Sequence, residues 1–295
     1  MKILLTEPNE IASEAVDMLK QYGYQVLRQI SEADQVKGLF IRTYTQVTKE
    51  YLAKFPELKF IIRAGVGLDN IDLDECKRLN IQVFNAPGSN ANAVAEYTLG
   101  MIITSIRRFP QQISQVVQGK WRNAQYSGSE LTGKTVGIVG CGAVGKRLAQ
   151  LLSSFSLNML GYDNYVSSEV MQSYGIIKTD FTDLIMKSDI VVVAVPLNDE
   201  TKNMFQTKEL AQMKKTSIFV NISRGEVVNE EDLIEALTKE NIAGAVIDVA
   251  MNEPNIDPAL LTTPNLIVTP HIAAYTNEAN VEMAVAAVRS FLTSR

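Results

Sequence analysis

Gly140-Cys-Gly-Ala-Val-Gly145 and Asp163, eighteen residues past the last of these glycines, form a pattern that could hold a dinucleotide. Gly140 permits a tight turn, Gly142 lets backbone approach a pyrophosphate, and Gly145 lets a helix pack close on its strand. Ala143 and Val144 lie in the same turn, where a helix N-terminus would offer N–H groups and a positive dipole end to phosphates. Asp163 would accept hydrogen bonds from the adenosine ribose hydroxyls and repel a 2′-phosphate. Asn164-Tyr165-Val166 supplies no arginine to welcome one. The pattern predicts NAD rather than NADP.

A nicotinamide cofactor performs hydride transfer, and hydride transfer to a ketone leaves an alkoxide that needs a proton. An imidazole, with an unperturbed pKa of about 6.5, is the natural donor. The chain has a single histidine, so that role falls to His271. A carboxylate beside it would orient the ring and favour its charged form, and Glu253 is a candidate. An arginine could bind a substrate carboxylate and polarise a carbonyl, and Arg224 is a candidate. Each, with Asp248, follows a predicted strand. Singly each also has a plain structural reading: a solvated turn for Arg224, a helix cap for Asp248, an exposed loop for Glu253, a satisfied buried ring for His271. Together, on one sheet edge beside a nicotinamide, they read as an active site.

These residues need a scaffold. Thr135–Val139 is a short β-branched run leading into the glycine turn. The stretch from Lys146 to Phe155 is helical, with Leu148, Leu151, Leu152 and Phe155 on one face, and Met159–Tyr162 is a strand ending at Asp163. Beyond it, strands are expected at Ile190–Ala194, Ser217–Asn221, Ala243–Asp248 and Leu266–Val268, with helices starting near Thr182, Thr207 and Asn229. Pro196 follows the first of these strands and joins the candidate cofactor contacts. Upstream, strands are expected at Ile3–Leu5, Gln25–Leu27, Leu39–Ile41, Phe60–Ile62 and Gln82–Phe84, a second α/β unit without a glycine fingerprint. Ala91 to Arg107 reads as an apolar connecting helix, Pro110 to Trp121 as a further helix, and Asn277 to Leu292 as a last helix returning to the first domain. The fold expected is α/β in two domains, each an open parallel sheet with helices on both faces, the larger a Rossmann NAD-binding domain. Residues 1–97 and 272–295 would form the substrate domain and 98–271 the dinucleotide-binding domain.

Composition narrows the function classes. With 295 residues, 46% of them hydrophobic, the chain is long enough for two cores. A net charge of −5 argues against broad nucleic-acid binding. No run approaches membrane-spanning length, and Met1–Leu5 is too short for a signal-peptide core. Cys76 and Cys141 stand in no metal-ligand spacing, so no metal is expected. Two unpaired thiols suit a reducing cytoplasm. The partners expected are a small-molecule substrate and a second copy of the chain.

The chain resembles the D-isomer-specific 2-hydroxyacid dehydrogenase family, most of all its phosphoglycerate dehydrogenase branch. The likeness lies in 63-RAGVGLDNID-72, 85-NAPGSN-90, 131-LTGKTVGIVG-140, 221-NISRGEVV-228, 248-DVAMNEP-254 and 269-TPHI-272. It implies that Arg224, Glu253 and His271 are the catalytic set and that Asp248 contacts the nicotinamide carboxamide. It also implies that the N–H groups of Val66 and Gly67 bind the substrate carboxylate as a glycine-flanked anion nest, with Asn90 nearby in the substrate set. Arg42 would either approach a substrate phosphate or be an ordinary surface arginine. The activity implied is oxidation of D-3-phosphoglycerate to 3-phosphohydroxypyruvate, a step of serine biosynthesis. The alternatives are reduction of glyoxylate, hydroxypyruvate or another short 2-keto acid, and an NAD(H)-sensing scaffold. Ala273-Ala274 stand where the family has glycines, and Ala250 where it has bulk. No regulatory domain follows Arg295, so serine feedback through one is not expected. The apolar helix at 91–107 and the segment around Trp121 are the expected two-fold interface.

Overall fold

The computed structural model describes residues 1–30 and 33–294; Arg295, the expected last residue of the substrate domain, lies outside the described residues. The chain divides into two compact units, Met1–Asn90 with Ala274–Arg295, and Ala91–Ala273.

The first unit carries a five-stranded sheet in the order β2-β1-β3-β4-β5. Its strands are β1 (Lys2–Leu5), β2 (Gln25–Leu27), β3 (Val36–Ile41), β4 (Phe60–Arg63) and β5 (Gln82–Phe84). All neighbours are parallel. Helices α1 (Ser13–Gln21), α2 (Lys49–Leu52) and α3 (Leu73–Arg78) connect them, and the last helix, α12 (Asn277–Thr293), belongs to the same unit. Successive strand residues point to opposite faces, so Ile3 and Leu5 pack with α1 and α12 while Leu4 packs with Leu52, Phe55 and Cys76. Phe291 of α12 is 1% exposed, stacks on Phe60 with ring centroids 4.3 Å apart, and also meets Tyr24 and Phe84. Truncating Phe291 to alanine should cost about 3–5 kcal/mol, read as a lowered urea midpoint. An unchanged midpoint would mean that α12 is not part of this core.

The second unit opens with α4 (Ala91–Ile106) and α5 (Phe109–Val117). Its sheet has seven strands, in the order β12-β11-β10-β9-β6-β7-β8. They are β6 (Thr135–Val139), β7 (Asn158–Tyr162), β8 (Ile177–Lys178), β9 (Ile190–Val193), β10 (Ile218–Asn221), β11 (Gly244–Ile247) and β12 (Leu266–Val268). The crossover helices are α6 (Ala143–Leu152), α7 (Ser168–Gln172), α8 (Phe181–Lys187), α9 (Thr207–Gln212), α10 (Glu230–Thr238) and α11 (Pro258–Thr262). All pairings are parallel. Helices cover both faces: Val191 and Val193 point into one core, Ile190 and Val192 into the other. This is the doubly wound order of a dinucleotide-binding fold, whose strand sequence reverses at β6 and β9. Ligand-binding residues are expected at that switch point, beyond the strands' carboxyl ends.

The boundary between the units differs from the expected one. Residues 91–97 were expected in the first domain, but they are the opening turns of one continuous helix. Ala95 and Ile102 of α4 pack with Leu148 and Leu152 of α6 and with the β-strand residues Val220 and Val246, so α4 belongs wholly to the second unit.

Candidate active site

The glycine turn sits between β6 and α6. Gly140 has φ 98°, and a Cβ there would lie 2.5 Å from the Ala194 carbonyl oxygen. A Cβ on Gly145 would lie 2.3 Å from the Gly140 carbonyl oxygen, which is why helix and strand can approach only with glycine. Gly142 is different: a Cβ there would meet nothing within 4 Å. Its bare face opens outward at the N-cap of α6, which has no side-chain cap. Three glycines thus do three jobs, and Ala143, Val144 and Gly145 form the helix turn that would face a pyrophosphate.

Asp163 closes this turn from the end of β7. Its Oδ2 accepts from the Cys141 N–H at 2.9 Å, and its Oδ1 from the N–H groups of Tyr165 and Val166 at 2.8 and 3.0 Å. The carboxylate is therefore fixed before any ribose hydroxyl arrives. Cys141 is fully buried, and burial pushes its thiol up to about 12, so it fills space and does not react. Pro196 lies exposed after β9, with its carbonyl accepting from Thr201 Oγ1 at 2.6 Å. The turn, Asp163 and Pro196 share the strands' carboxyl edge, and their donors and contours fit a dinucleotide.

The three candidate catalytic residues leave the same edge. Arg224 follows β10, in a loop built by Asn221. The Asn221 Nδ2 donates to the Arg224 carbonyl at 2.8 Å, and its Oδ1 accepts from the Ser223 N–H and hydroxyl at 3.0 and 2.7 Å. Arg224 Nη1 donates back to the Ser223 carbonyl at 2.7 Å. The next residue is glycine by necessity, because a Cβ on Gly225 would lie 2.2 Å from the Ala250 carbonyl carbon. That contact brings the Arg224 loop against the loop that holds Glu253.

Glu253 and His271 meet directly: Nδ1 of the ring lies 2.8 Å from Oε2 of the carboxylate. The other oxygen of Glu253 accepts from the Ala250 N–H at 2.9 Å, so the carboxylate is held at both ends. Burial alone would raise its pKa. The His271 hydrogen bond, the Ala250 N–H and the charges of His271 and Arg224 outweigh burial and keep Glu253 below its ordinary value of 4.5. The Arg224 guanidinium thus acts on the same carboxylate that orients the imidazole. Glu230, at the start of α10, accepts from the Met251 N–H and ties down the other side of the Glu253 loop. Burial raises Glu230, in contrast.

The Glu253 shift has a sign that can be checked. A carboxyl more acidic in the folded chain than in the unfolded one adds stability at pH above the unfolded value. That increment is lost as pH falls through the lowered folded value. Glu253→Gln should flatten this portion of the acid limb of a Tm–pH curve below about pH 5. An acid limb identical to that of the unsubstituted chain would mean the pairing adds nothing.

Asp248 was expected beside the nicotinamide. It is 1% exposed, and its carboxylate faces the turn that carries His271, accepting from Thr269 Oγ1 and from the N–H groups of Ile272 and Ala273. On the first unit, Val66 and Gly67 follow β4 in an irregular turn, with the Val66 carbonyl held by Asn85 Nδ2 at 2.7 Å. Among the described residues, neither of their N–H groups is given to a protein acceptor, as an anion nest requires. Asn90 is the half-buried last residue before α4.

Arg42 is 8% exposed, which corrects the reading of it as a surface arginine. Nη1 donates to the Glu10 carbonyl at 3.0 Å and pairs with the Glu10 carboxylate at 3.3 Å, while Nη2 bonds Asn280 of α12. The side chain pins α12 to the loop after β1.

Among the described residues no cluster of three or more histidine, cysteine or acidic side chains could hold a metal, and no helix is long and apolar enough to cross a membrane. The model of the D-isomer specific 2-hydroxyacid dehydrogenase NAD binding domain matches residues 99–273. The D-3-phosphoglycerate dehydrogenase of Methanocaldococcus jannaschii is 36% identical over 290 residues, covering 95% of this chain and 54% of its own. That of Archaeoglobus fulgidus is 37% identical over 297 residues, covering 97% and 56%. The chain thus spans about half the length of these curated relatives. Among solved structures, a glyoxylate reductase from Paecilomyes thermophila superposes with a TM-score of 0.88 at 25% identity, over 100% of this chain and 95% of that one. A D-lactate dehydrogenase from Aquifex aeolicus, complexed with NAD and lactic acid, superposes with a TM-score of 0.86 at 27% identity, over 100% and 96%.

Proposed function

Because the chain belongs to the D-isomer specific 2-hydroxyacid dehydrogenase family, we propose that it oxidises a D-2-hydroxy acid with NAD, and that the acid is D-3-phosphoglycerate. The observation that carries the reading is the His271–Glu253 pair at 2.8 Å, with Arg224 acting on the same carboxylate at the sheet edge that bears the glycine turn.

The cofactor, when bound, supplies a hydride acceptor at its nicotinamide. The protein's own residues do the rest. His271 presents Nε2 to the substrate hydroxyl because Glu253 occupies Nδ1, and it takes the hydroxyl proton as general base. In the reverse direction it returns that proton to the forming alkoxide. Glu253 stays ionised and steadies the positive ring. Arg224 binds the substrate carboxylate and polarises the oxygen at C2. Val66 and Gly67 offer their N–H groups to an anion, and Gly142 with the first turn of α6 receives the pyrophosphate. Asp163 selects the unphosphorylated ribose by charge.

The phosphate of the substrate rests on the relatives' names, not on Arg42, whose pairing with Glu10 and Asn280 favours a second reading. In it the substrate is a short unphosphorylated 2-keto acid such as glyoxylate or hydroxypyruvate, reduced by NADH. An absorbance assay separates the two. Reduction of NAD by D-3-phosphoglycerate supports the first. Turnover of the unphosphorylated keto acids alone moves the substrate to the second. Tight NADH binding with no turnover across the panel would leave an NAD(H)-binding scaffold.

The working form is a homodimer in the cytoplasm. Both cysteines are unpaired and buried, which supports a reducing compartment. The interface differs in part from the one expected, since the apolar residues of α4 are used inside the second unit. Phe109, Ile113, Val116 and Val117 stand exposed along α5, and Trp121 beyond it is 80% exposed, a stripe that association would cover. Val117→Glu should convert a dimer to a monomer by light scattering. A wild-type monomer at micromolar concentration would contradict this arrangement.

A further inference from the structure

We infer that Tyr97 and Thr269 are positioning residues for His271, acting through the Asp248 carboxylate and the turn at 269–273. The inference rests on the reading of His271 as the group that moves the proton.

His271 has φ 55°, a left-handed conformation that L-residues adopt only when their surroundings impose it. The imposing contacts all come from one residue and its neighbour. The His271 N–H is shared between the carbonyls of Asp248 at 2.8 Å and Thr269 at 3.0 Å. The next two N–H groups, of Ile272 and Ala273, donate to Asp248 Oδ1 at 2.9 Å and Oδ2 at 2.8 Å. The turn that aims the imidazole therefore hangs on the Asp248 carboxylate, and the aim of the ring follows the orientation of that carboxylate.

A chain of hydroxyls sets that orientation. Thr269 Oγ1 donates to Asp248 Oδ1 at 2.7 Å. A hydroxyl has one hydrogen, so Thr269 must accept in its other bond, which is with the Tyr97 hydroxyl. The chain is directional: phenol to threonine to carboxylate. Burial raises the Tyr97 phenol to about 12, with the Asp248 charge adding to it against the Thr269 hydrogen bond. The phenol consequently remains a donor at every working pH. Tyr97 stands on α4, a rigid helix packed in the second unit's core, so the chain anchors the His271 turn to the scaffold rather than to another loop. Packing alone would be served as well by phenylalanine, and it is the hydroxyl that the inference concerns.

The single histidine makes the test direct. In tag-free, full-length protein labelled with ¹⁵N-histidine, proton–nitrogen NMR reports only His271. Tyr97→Phe and Thr269→Val should each lower kcat about fivefold, the worth of one net hydrogen bond, with the KM for NAD unchanged. Each should also shift the His271 ring ¹⁵N resonances, as the imidazole loses its alignment with Glu253. Thr269→Ser, which keeps the hydroxyl, should restore both values. Unchanged ring resonances and kcat in the first two variants, or a Thr269→Ser protein as impaired as Thr269→Val, would overturn the inference. If the unsubstituted protein turned over no 2-hydroxy acid, the enzymatic reading would fall, while the ring resonances would still decide whether this network positions the ring.

Discussion

Replacing His271 should remove about 10²–10⁴-fold from kcat and leave NAD binding nearly unchanged. The imidazole is the chain's only one; Glu253 holds the ring and Asp248 holds the backbone turn at 269–273 that carries it. No second imidazole exists in the chain to take over its proton. Alanine alone would leave an ambiguity, because His271 sits at φ 55° and alanine in that conformation costs about 1–2 kcal/mol. Asparagine tolerates positive φ far better and is no general base. His271→Asn should therefore fold like the unsubstituted chain and lose as much activity as His271→Ala. A His271→Asn protein with near-normal kcat would eliminate the proton relay.

Arg224→Gln should lower kcat/KM for the 2-hydroxy acid by about 10²–10³-fold, again with NAD affinity kept. Glutamine can still reach the Ser223 carbonyl that Arg224 Nη1 contacts, so the loop built by Asn221 should survive. What goes is the charge and the two-pronged donor geometry that matches a carboxylate. Lysine restores the charge without the fork and should recover only part of the loss. Glu253 gives an internal check, since the Arg224 charge helps hold its carboxyl low. Removing that charge should raise Glu253 and shift the acid limb of the rate profile upward. Full activity in Arg224→Gln would mean the substrate is held elsewhere.

Much of this site is legible in the residues before any coordinates. Local rules suffice for the glycine turn, because a strand, three spaced glycines, a helix and a terminal carboxylate are contiguous and each constrains the next. The β-branched run at Ile190–Val193 is legible for the same reason: burial on both faces leaves no polar alternation to mislead. Glu253 and His271 lie eighteen residues apart; their places after predicted strands and the chemistry of hydride transfer make them a candidate pair, and the likeness to the family's motifs implies the same set. Three things were out of reach of local pattern. Arg42 stands after a strand as a phosphate-binding residue would, but its partners are Glu10 and Asn280, the latter 238 residues away, and nothing near it in sequence marks either. Asp248 carries the right charge at the right strand end, but that its carboxylate accepts from the backbone of Ile272 and Ala273 has no mark in the local sequence. The start of α4 reads equally well as a linker or as a core helix, and only its packing on α6 decides. The supporting residues Asn221, Gly225 and Glu230 were missed because their work is to hold loops. Asn221 and Gly225 stand at or just past the carboxyl end of β10, a signal that could have found them, whereas Glu230 opens α10 and carries no such mark.

If this chain passes a hydride between C2 of a D-2-hydroxy acid and NAD while His271 handles the proton, a D-2-hydroxy acid carrying deuterium at C2 will reveal it when incubated with NAD and the protein and the reduced cofactor is analysed by mass spectrometry. Deuterium should appear in the reduced nicotinamide from the D-isomer and not from the L-isomer, and the transfer should collapse in His271→Asn. Unlabelled or unreduced cofactor with the D-isomers of the panel would contradict it.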